Sequence, residues 1–250
     1  MTTWQLVAVL VAGIGAGTIN TVVGSGTLIT FPVLLGLGLA PVTANVTNTV
    51  GLVFGSVTGA LGYRAELAGQ RRRLSVLGSA SVVGAIMGAI ALLTLPAGAF
   101  KAIVPILIGI ALVLVLVQPR LAARLAQREQ SDRLQTTPLL WVAVLATGVY
   151  GGYFGAAQGV LLMAIMGVLL DEPLQRINAT KNVLAALVNA VAAVIFVGTV
   201  HIDWTAAAAL AVGSVVGGLI GARVGRRLSA PVLRGVIVVV GLVALVKLLL

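Results

Sequence analysis

The chain has 250 residues, of which 60% are hydrophobic and only 9% charged, with a formal net charge of +10. Soluble domains carry about 25% charged residues, so this chain lacks the polar side chains to cover a water-facing surface. The absence of cysteine excludes disulfides, thiolate metal sites and cysteine nucleophiles.

Continuous apolar runs of about 18–20 residues recur, the length that crosses a hydrocarbon core about 30 Å thick. A β-barrel would instead alternate in polarity over segments of about 10 residues. The fold class expected is therefore an all-α integral membrane protein. The first run, MTTWQLVAVLVAG, has no basic stretch ahead of it and reads as a retained helix rather than a cleaved signal. Helical segments are expected near 4–23, 26–39, 42–63, 74–95 and 99–118. An Arg-rich linker at 119–138 follows, and then segments near 139–157, 159–170, 174–198, 204–224 and 231–250. The linker separates a first transmembrane repeat, 1–118, from a second, 139–250.

The two repeats are related in sequence. An offset of 133 lays ANVTNTV (44–50) on INATKNV (177–183), with Asn48 replaced by Lys181. The same offset lays SVVGAIMGA (81–89) on SVVGGLIGA (214–222), identical at six of nine positions. Loop charges set the orientation. Arginines cluster at 64–73 (Arg64, Arg71, Arg72, Arg73), in the linker (Arg120, Arg124, Arg128, Arg133) and at 223–234 (Arg223, Arg226, Arg227, Arg234). Cationic loops stay cytoplasmic, so the net charge reads as membrane orientation and no nucleic-acid partner is expected. The loop 199–203, TVHID, has no Lys or Arg and is placed outside, although it corresponds to the basic loop 64–73. Equivalent loops on opposite faces mean that the repeats are inverted, with about five helical segments each and both termini outside.

Segments 26–39 and 159–170 are too short to span at about 1.5 Å per helical residue. They hold corresponding places, and each follows a Gly-rich break, VVGSGT (22–27) or GGYFGAAQG (151–159). Paired, short, Gly-interrupted helices point to a midplane substrate site. Gly51, Gly55 and Gly59, and Gly213, Gly217, Gly221 and Gly225, recur every four residues and read instead as packing seams. The candidate substrate-binding residues are Gly24, Ser25 and Gly26 at the first break, Gln158 and Gly159 at the second, Asn45, Asn48 and Thr49 on one helix face, and Asn178, Lys181 and Asn182 on its counterpart. Thr47, Thr180 and Asn189 are further polar residues within the spans. Amides, hydroxyls and helix starts donate to anions, and Lys181 adds a compact charge that costs about 2.5–3.5 kcal/mol to place in the hydrocarbon. The competing readings are a snorkelling lysine and asparagines that only bridge helices. Asp171, Glu172 and Arg176 read as a solvated loop, as do His201 and Asp203.

No catalytic set is visible. His201 is the only histidine, the acids lie in or near loops, and GSGT at 24–27 lacks the Gly-Lys-Ser/Thr ending of a phosphate loop. No enzyme, metal site or cofactor is expected.

The sequence resembles the TauE/SafE sulfite exporter family, also called the toluene sulfonate uptake permease family. The resemblance rests on GSGTLITFPVLLGLGLAPVTANVTNTVGLVFGSVTGALGY in the first half and on GGYFGAAQGVLLMAIMGVLLDEPLQRINATKNVLAALVNAVAAVIF with GGLIGARVGRRL in the second. It implies a multi-pass permease of the bacterial inner membrane for a small sulfur-containing anion such as sulfite or a sulfonate. GSGT is poorer in glycine than the triplet common in the family. An alternating-access carrier is the reading, with an anion channel or a non-transporting assembly protein as alternatives. The anion, the direction of transport and the oligomeric state stay open, a homodimer among the options.

Overall fold

A computed structural model describes residues 1–126, 137–224 and 230–249. Among them the chain is all-helical, in the order α1 (Thr3–Val22), α2 (Thr27–Gly36), α3 (Pro41–Gly62), α4 (Arg71–Thr94), α5 (Ala97–Ala126), α6 (Pro138–Tyr153), α7 (Gln158–Leu169), α8 (Leu174–Val197), α9 (Trp204–Val224) and α10 (Ala230–Leu249). Five helices are long and apolar enough to cross a membrane: Thr3–Val22, Arg71–Thr94, Gly98–Gln118, Leu174–Val197 and Trp204–Arg223. Their outer faces carry exposed Val11, Ile90, Ile106, Val113, Val194 and Val212. Apolar surface on this scale suits contact with lipid, not water.

Local chemistry sets the helix starts. Pro41 and Pro138 occupy the first helical turn of α3 and α6, where a missing N–H costs nothing. Thr137 Oγ1 accepts from Leu140 N–H at 3.3 Å and caps α6. Two boundaries differ from the sequence expectation. α5 continues to Ala126, into the expected linker, because LAARLA is built from strong helix formers. Arg71, Arg72 and Arg73 form the first turn of α4 rather than a loop. Linker residues 127–136, with Arg128 and Arg133, lie outside the described residues, as do Gly225, Arg226 and Arg227.

The offset of 133 pairs α1 with α6, α3 with α8 and α4 with α9, and the packing follows it. The most extensive contacts are α1 with α9 and α4 with α6, each the counterpart of the other. Contacts of α3 with α9 are matched by α8 with α4, and those of α2 with α10 by α7 with α5. The first helix of each repeat thus packs on the fourth helix of the other. Glycine makes these approaches close. A Cβ on Gly17 would lie 2.3 Å from Ser214 O, one on Gly217 2.0 Å from Ile14 O, and one on Gly88 2.1 Å from Val149 O. In a membrane such small-residue seams let dispersion contacts and close backbones hold helices together. Contacting residue numbers rise together: Gly13 faces Leu210, Gly17 faces Ser214 and Gly221 faces Thr18. α1 and α9 therefore run parallel. α4 and α6 do the same, with Gly84 facing Leu145 and Gly88 facing Tyr153.

The breaks between α1 and α2 and between α6 and α7 are one element used twice. Gly24 (φ 93°) and Ala157 (φ 59°), 133 residues apart, both take left-handed backbone. The two breaks touch, and Gly159 N–H donates to Gly24 O at 3.0 Å. Phe31 of α2 packs edge-on against Phe154 at 5.1 Å, and Phe100 of α5 meets Phe154 at 6.1 Å. This aromatic cluster anchors one short helix to the end of α6 within the larger core. α7 is anchored in a second core, where Leu162 and Met166 pack with Leu77, Leu140, Val144 and Leu184.

The duplicated turn gives a contrast that thermal unfolding in detergent can read. A Cβ on Gly24 would lie 2.4 Å from Gly159 Cα. Gly24→Ala is expected to destabilise by about 3 kcal/mol or more, from steric overlap added to left-handed strain. Ala157→Gly is expected to stay within about 1 kcal/mol of wild type, because relief of strain offsets the entropy gained by the unfolded chain. A large loss from Ala157→Gly, or none from Gly24→Ala, contradicts this account of the break.

Candidate functional site

The site begins with the problem of a helix that ends among other helices. At the end of α1, Val23 and Gly24 N–H both donate to Ile19 O, at 2.7 and 3.0 Å. The carbonyls of Asn20 and Thr21 are met instead by side chains of α8. Lys181 Nζ donates to Asn20 O at 2.9 Å and to Thr21 O at 3.1 Å. Asn178 Nδ2 and Asn182 Nδ2 each donate to Thr21 O at 3.3 Å. The spacing i, i+3, i+4 puts all three side chains on one face, and a single carbonyl collects them. Lys181 is 0% exposed and is the only buried charged side chain among the described residues. Its partners are the negative end of a helix dipole, which favours a cation.

The first repeat treats α6 the same way. Phe154 and Gly155 N–H both donate to Tyr150 O, at 2.9 and 3.1 Å. Asn45 Nδ2, from α3, donates to Tyr153 O at 3.0 Å. Asn48, the counterpart of Lys181, turns elsewhere. Its Nδ2 donates to Thr27 Oγ1 at 3.2 Å, and its Oδ1 accepts from Thr30 Oγ1. Asn48 thereby holds the start of α2 against α3. Thr49 Oγ1 donates to Asn45 O of its own helix at 3.0 Å.

Between these two caps lie the touching breaks. Gly24 and Gly159 are in backbone contact, and a Cβ on Gly159 would come 2.5 Å from Gly24 Cα and 3.1 Å from Lys181 Cδ. Gly26 packs on Ala16 O, and Gln158 lies over Gly151. Besides Tyr153 Oη, four buried polar atoms here have no hydrogen-bond partner among the described residues: Ser25 Oγ, Gln158 Nε2, Asn45 Oδ1 and Asn178 Oδ1. They form two repeat-related pairs, since Ser25 corresponds to Gln158 and Asn45 to Asn178. A buried polar atom left unpaired costs about 1–3 kcal/mol; of these four, Ser25 Oγ and Gln158 Nε2 can donate, while the two asparagine oxygens accept.

The sequence model of the family described as sulfite exporter TauE/SafE matches residues 9–248. This chain belongs to the TauE/SafE family. It is 27% identical over 94% of its length, and 86% of the relative's, to probable membrane transporter protein YfcA of Escherichia coli strain K12. It is 26% identical to a probable membrane transporter protein of Haemophilus influenzae, covering 85% of this chain and 82% of that one. Over 63% of this chain and 59% of the relative, it is 30% identical to probable membrane transporter protein ORF9 of Sinorhizobium sp.. No solved structure matches the chain. The protein is thus a multi-pass membrane transporter of the TauE/SafE family.

The transporter also has a charged cluster that the sequence reading placed in a solvated loop. Glu172 bonds Arg73 at 2.8 Å and Arg176 at 2.6 Å, and its side chain is only 10% exposed. Gln70 extends the cluster. Its Oε1 accepts from Arg73 Nη1 at 2.9 Å and from Thr180 Oγ1 at 3.0 Å. The i, i+4 spacing of Glu172 and Arg176 was the available signal, but Arg73 is distant in sequence. Asp203 is no free loop acid either, because its Oδ1 accepts from Ala206 N–H at 2.9 Å and caps α9. The repeat counterparts of Gln70 and Thr180 are Asp203 and Thr47, which meet through Asp203 N–H to Thr47 Oγ1 at 3.1 Å. Equivalent contacts thus close two corners of the molecule, and only one carries the ion cluster.

Burial opposes the charge on Glu172, but the hydrogen bonds and charges of Arg73 and Arg176 outweigh it and hold its carboxyl below the usual range. A lowered carboxylate stabilises the fold above the unfolded pKa, and the contribution is lost as pH falls through the folded value. Melting temperatures of wild type and Glu172→Gln are therefore expected to differ at pH 7 and to converge in acid below about pH 4. A gap that stays constant down to pH 3 would contradict the ion cluster. Lys181→Met is expected to cost about 2–4 kcal/mol, because it strips a charged donor from two buried carbonyls. Thermal unfolding of the purified variant measures it.

Proposed function

We propose that this transporter moves a small sulfur-containing oxyanion, sulfite or a sulfonate, by alternating access through the two touching helix breaks. The observation that carries the reading is the matched pair of buried, unpartnered donors, Ser25 Oγ and Gln158 Nε2, beside the buried Lys181. An ammonium has three N–H donors. Two on Lys181 are taken by Asn20 O and Thr21 O, which leaves one. Together with Gln158 Nε2 and Ser25 Oγ it offers donors to the oxygens of one compact anion. The ammonium keeps the site electropositive, and the low dielectric around it strengthens each such bond. The family's description as sulfite exporters supports the choice of sulfur oxyanion.

The same proposal includes inverted repeats, with the basic loops in the cytoplasm and both termini outside. Two observations support it. α3 runs parallel to α9, since Gly51 faces Leu210 and Gly62 faces Ala222, and α1 does too. α4 follows α3 after the short turn at 63–70 and is parallel to α6. The first helices of the two repeats then run in opposite directions. Rocking of one repeat on the other opens the shared break to each side in turn.

Uptake of radiolabelled sulfite and methanesulfonate into proteoliposomes tests the substrate. Saturable flux well above that of empty vesicles is expected. Gln158→Met is expected to raise KM about tenfold or more while leaving the melting temperature unchanged, because Gln158 Nε2 makes no bond within the fold. Flux equal to empty vesicles removes the reading, and linear, non-saturating flux makes the protein a channel. Because the chain has no native cysteine, Ala68→Cys and Thr199→Cys test the orientation. Impermeant thiol reagents should reach them from opposite faces in oriented membranes.

A further inference from the structure

We propose that Asn20, Ser56 and Asn189 form a second anion station at the centre of the membrane, where the two repeats meet. The inference rests on the transport reading above and adds three residues to its path. Ser56 lies on α3 and Asn189 on α8, 133 residues apart, so each is the other's repeat counterpart. They touch: Asn189 Nδ2 donates to Ser56 Oγ at 3.1 Å. A residue in contact with its own counterpart lies near the axis that exchanges the repeats, midway between the two faces. Asn20 of α1 completes the group, with Nδ2 donating to the same Ser56 Oγ at 3.2 Å. Its backbone carbonyl is the one that Lys181 Nζ holds at 2.9 Å, so the station adjoins the buried charge.

Partial exposure of both amides favours a path over a mere clasp. Asn189 lies on the inward stripe of α8, between Asn182 and Phe196, both buried, and far round the helix from Val194, which is 77% exposed. Asn20 is flanked by buried Ile19 and Thr21. Both asparagines are nevertheless partly accessible. On the proposal these accessible amides line a polar space among the helices, with Ser56, 4% exposed, at its buried end. Ser56 Oγ accepts two N–H groups, so its own hydrogen is free to donate, as is the second N–H of each amide. Each amide also carries an oxygen that accepts, so the preference for an oxyanion comes from the Lys181 ammonium beside the group.

Single-cysteine labelling in proteoliposomes tests the station, because the wild-type chain has no cysteine to react. Ser56→Cys changes one atom, and Asn189→Cys keeps the fold testable from the opposite helix. Thiols react with water-borne reagents only where they are accessible and can ionise. Both variants are expected to react with the anionic reagent sulfonatoethyl methanethiosulfonate about tenfold faster than Val194→Cys, which faces lipid. They should prefer it to the cationic trimethylammonium reagent, and methanesulfonate should slow the labelling. Rates no faster than Val194→Cys, or a preference for the cationic reagent, overturn the station. If wild type carries sulfite and the cysteines stay silent, the station fails alone. If the cysteines react with methanesulfonate protection but no sulfite or methanesulfonate flux exists, the transport reading fails and the anion station stands.

Discussion

A helix that stops among packed helices leaves carbonyls that no water reaches, and the arrangement of this transporter follows from that constraint. α1 and α6 both stop this way. The polar face at the start of α8 closes the end of α1, and the polar face at the start of α3 closes the end of α6. Each cap comes from the opposite repeat, so the two halves are interlocked at the positions where they are most polar. The glycine seams serve the same end. Without Gly17 and Gly217 the first helix could not lie close enough to α9 for its terminus to reach Lys181.

Lys181 has two duties in this frame. It neutralises the negative end of α1 and, on the proposed reading, supplies the charge that an anion would feel. Asn48, which holds the same place in the first repeat, is turned onto Thr27 and Thr30. The offset of 133 sets two equivalent polar faces against each other, and Lys181 in the place of Asn48 makes them unequal. The corner contacts show the same divergence, with Gln70 and Thr180 embedded in an ion cluster while Asp203 and Thr47 share a single neutral bond. A carrier that must favour one orientation over another needs such inequality, because two identical halves would make its two states equal in energy.

Much of this was legible in the sequence because it depends on period and spacing. The ten helices followed from apolar runs and the breaks from glycine without four-residue spacing. The shared face of Asn178, Lys181 and Asn182 followed from i, i+3, i+4. What the sequence could not give were partners. Nothing near Lys181 in the chain announces that it will hold Asn20 O and Thr21 O, and Thr49 looks as available as Asn45 until its hydroxyl is seen spent on its own helix. Ser56 was hidden among small residues of a packing face, and Glu172 found Arg73 only through the tertiary fold. Contacts between residues more than 100 positions apart leave no local trace in a single sequence.

The exchange of helices between repeats has a consequence for how the chain is made. When the first five helices have left the ribosome, α1 still lacks α9 as its neighbour and Lys181 as its cap, and α4 lacks α6. Domains made in succession can settle one after another, but this first half has nothing complete to settle into. It must wait in the bilayer, with the end of its opening helix unpaired, until the second half arrives to wrap around it. Biogenesis is therefore a single late event, and a truncated product would carry an open polar end that the cell's quality control can recognise.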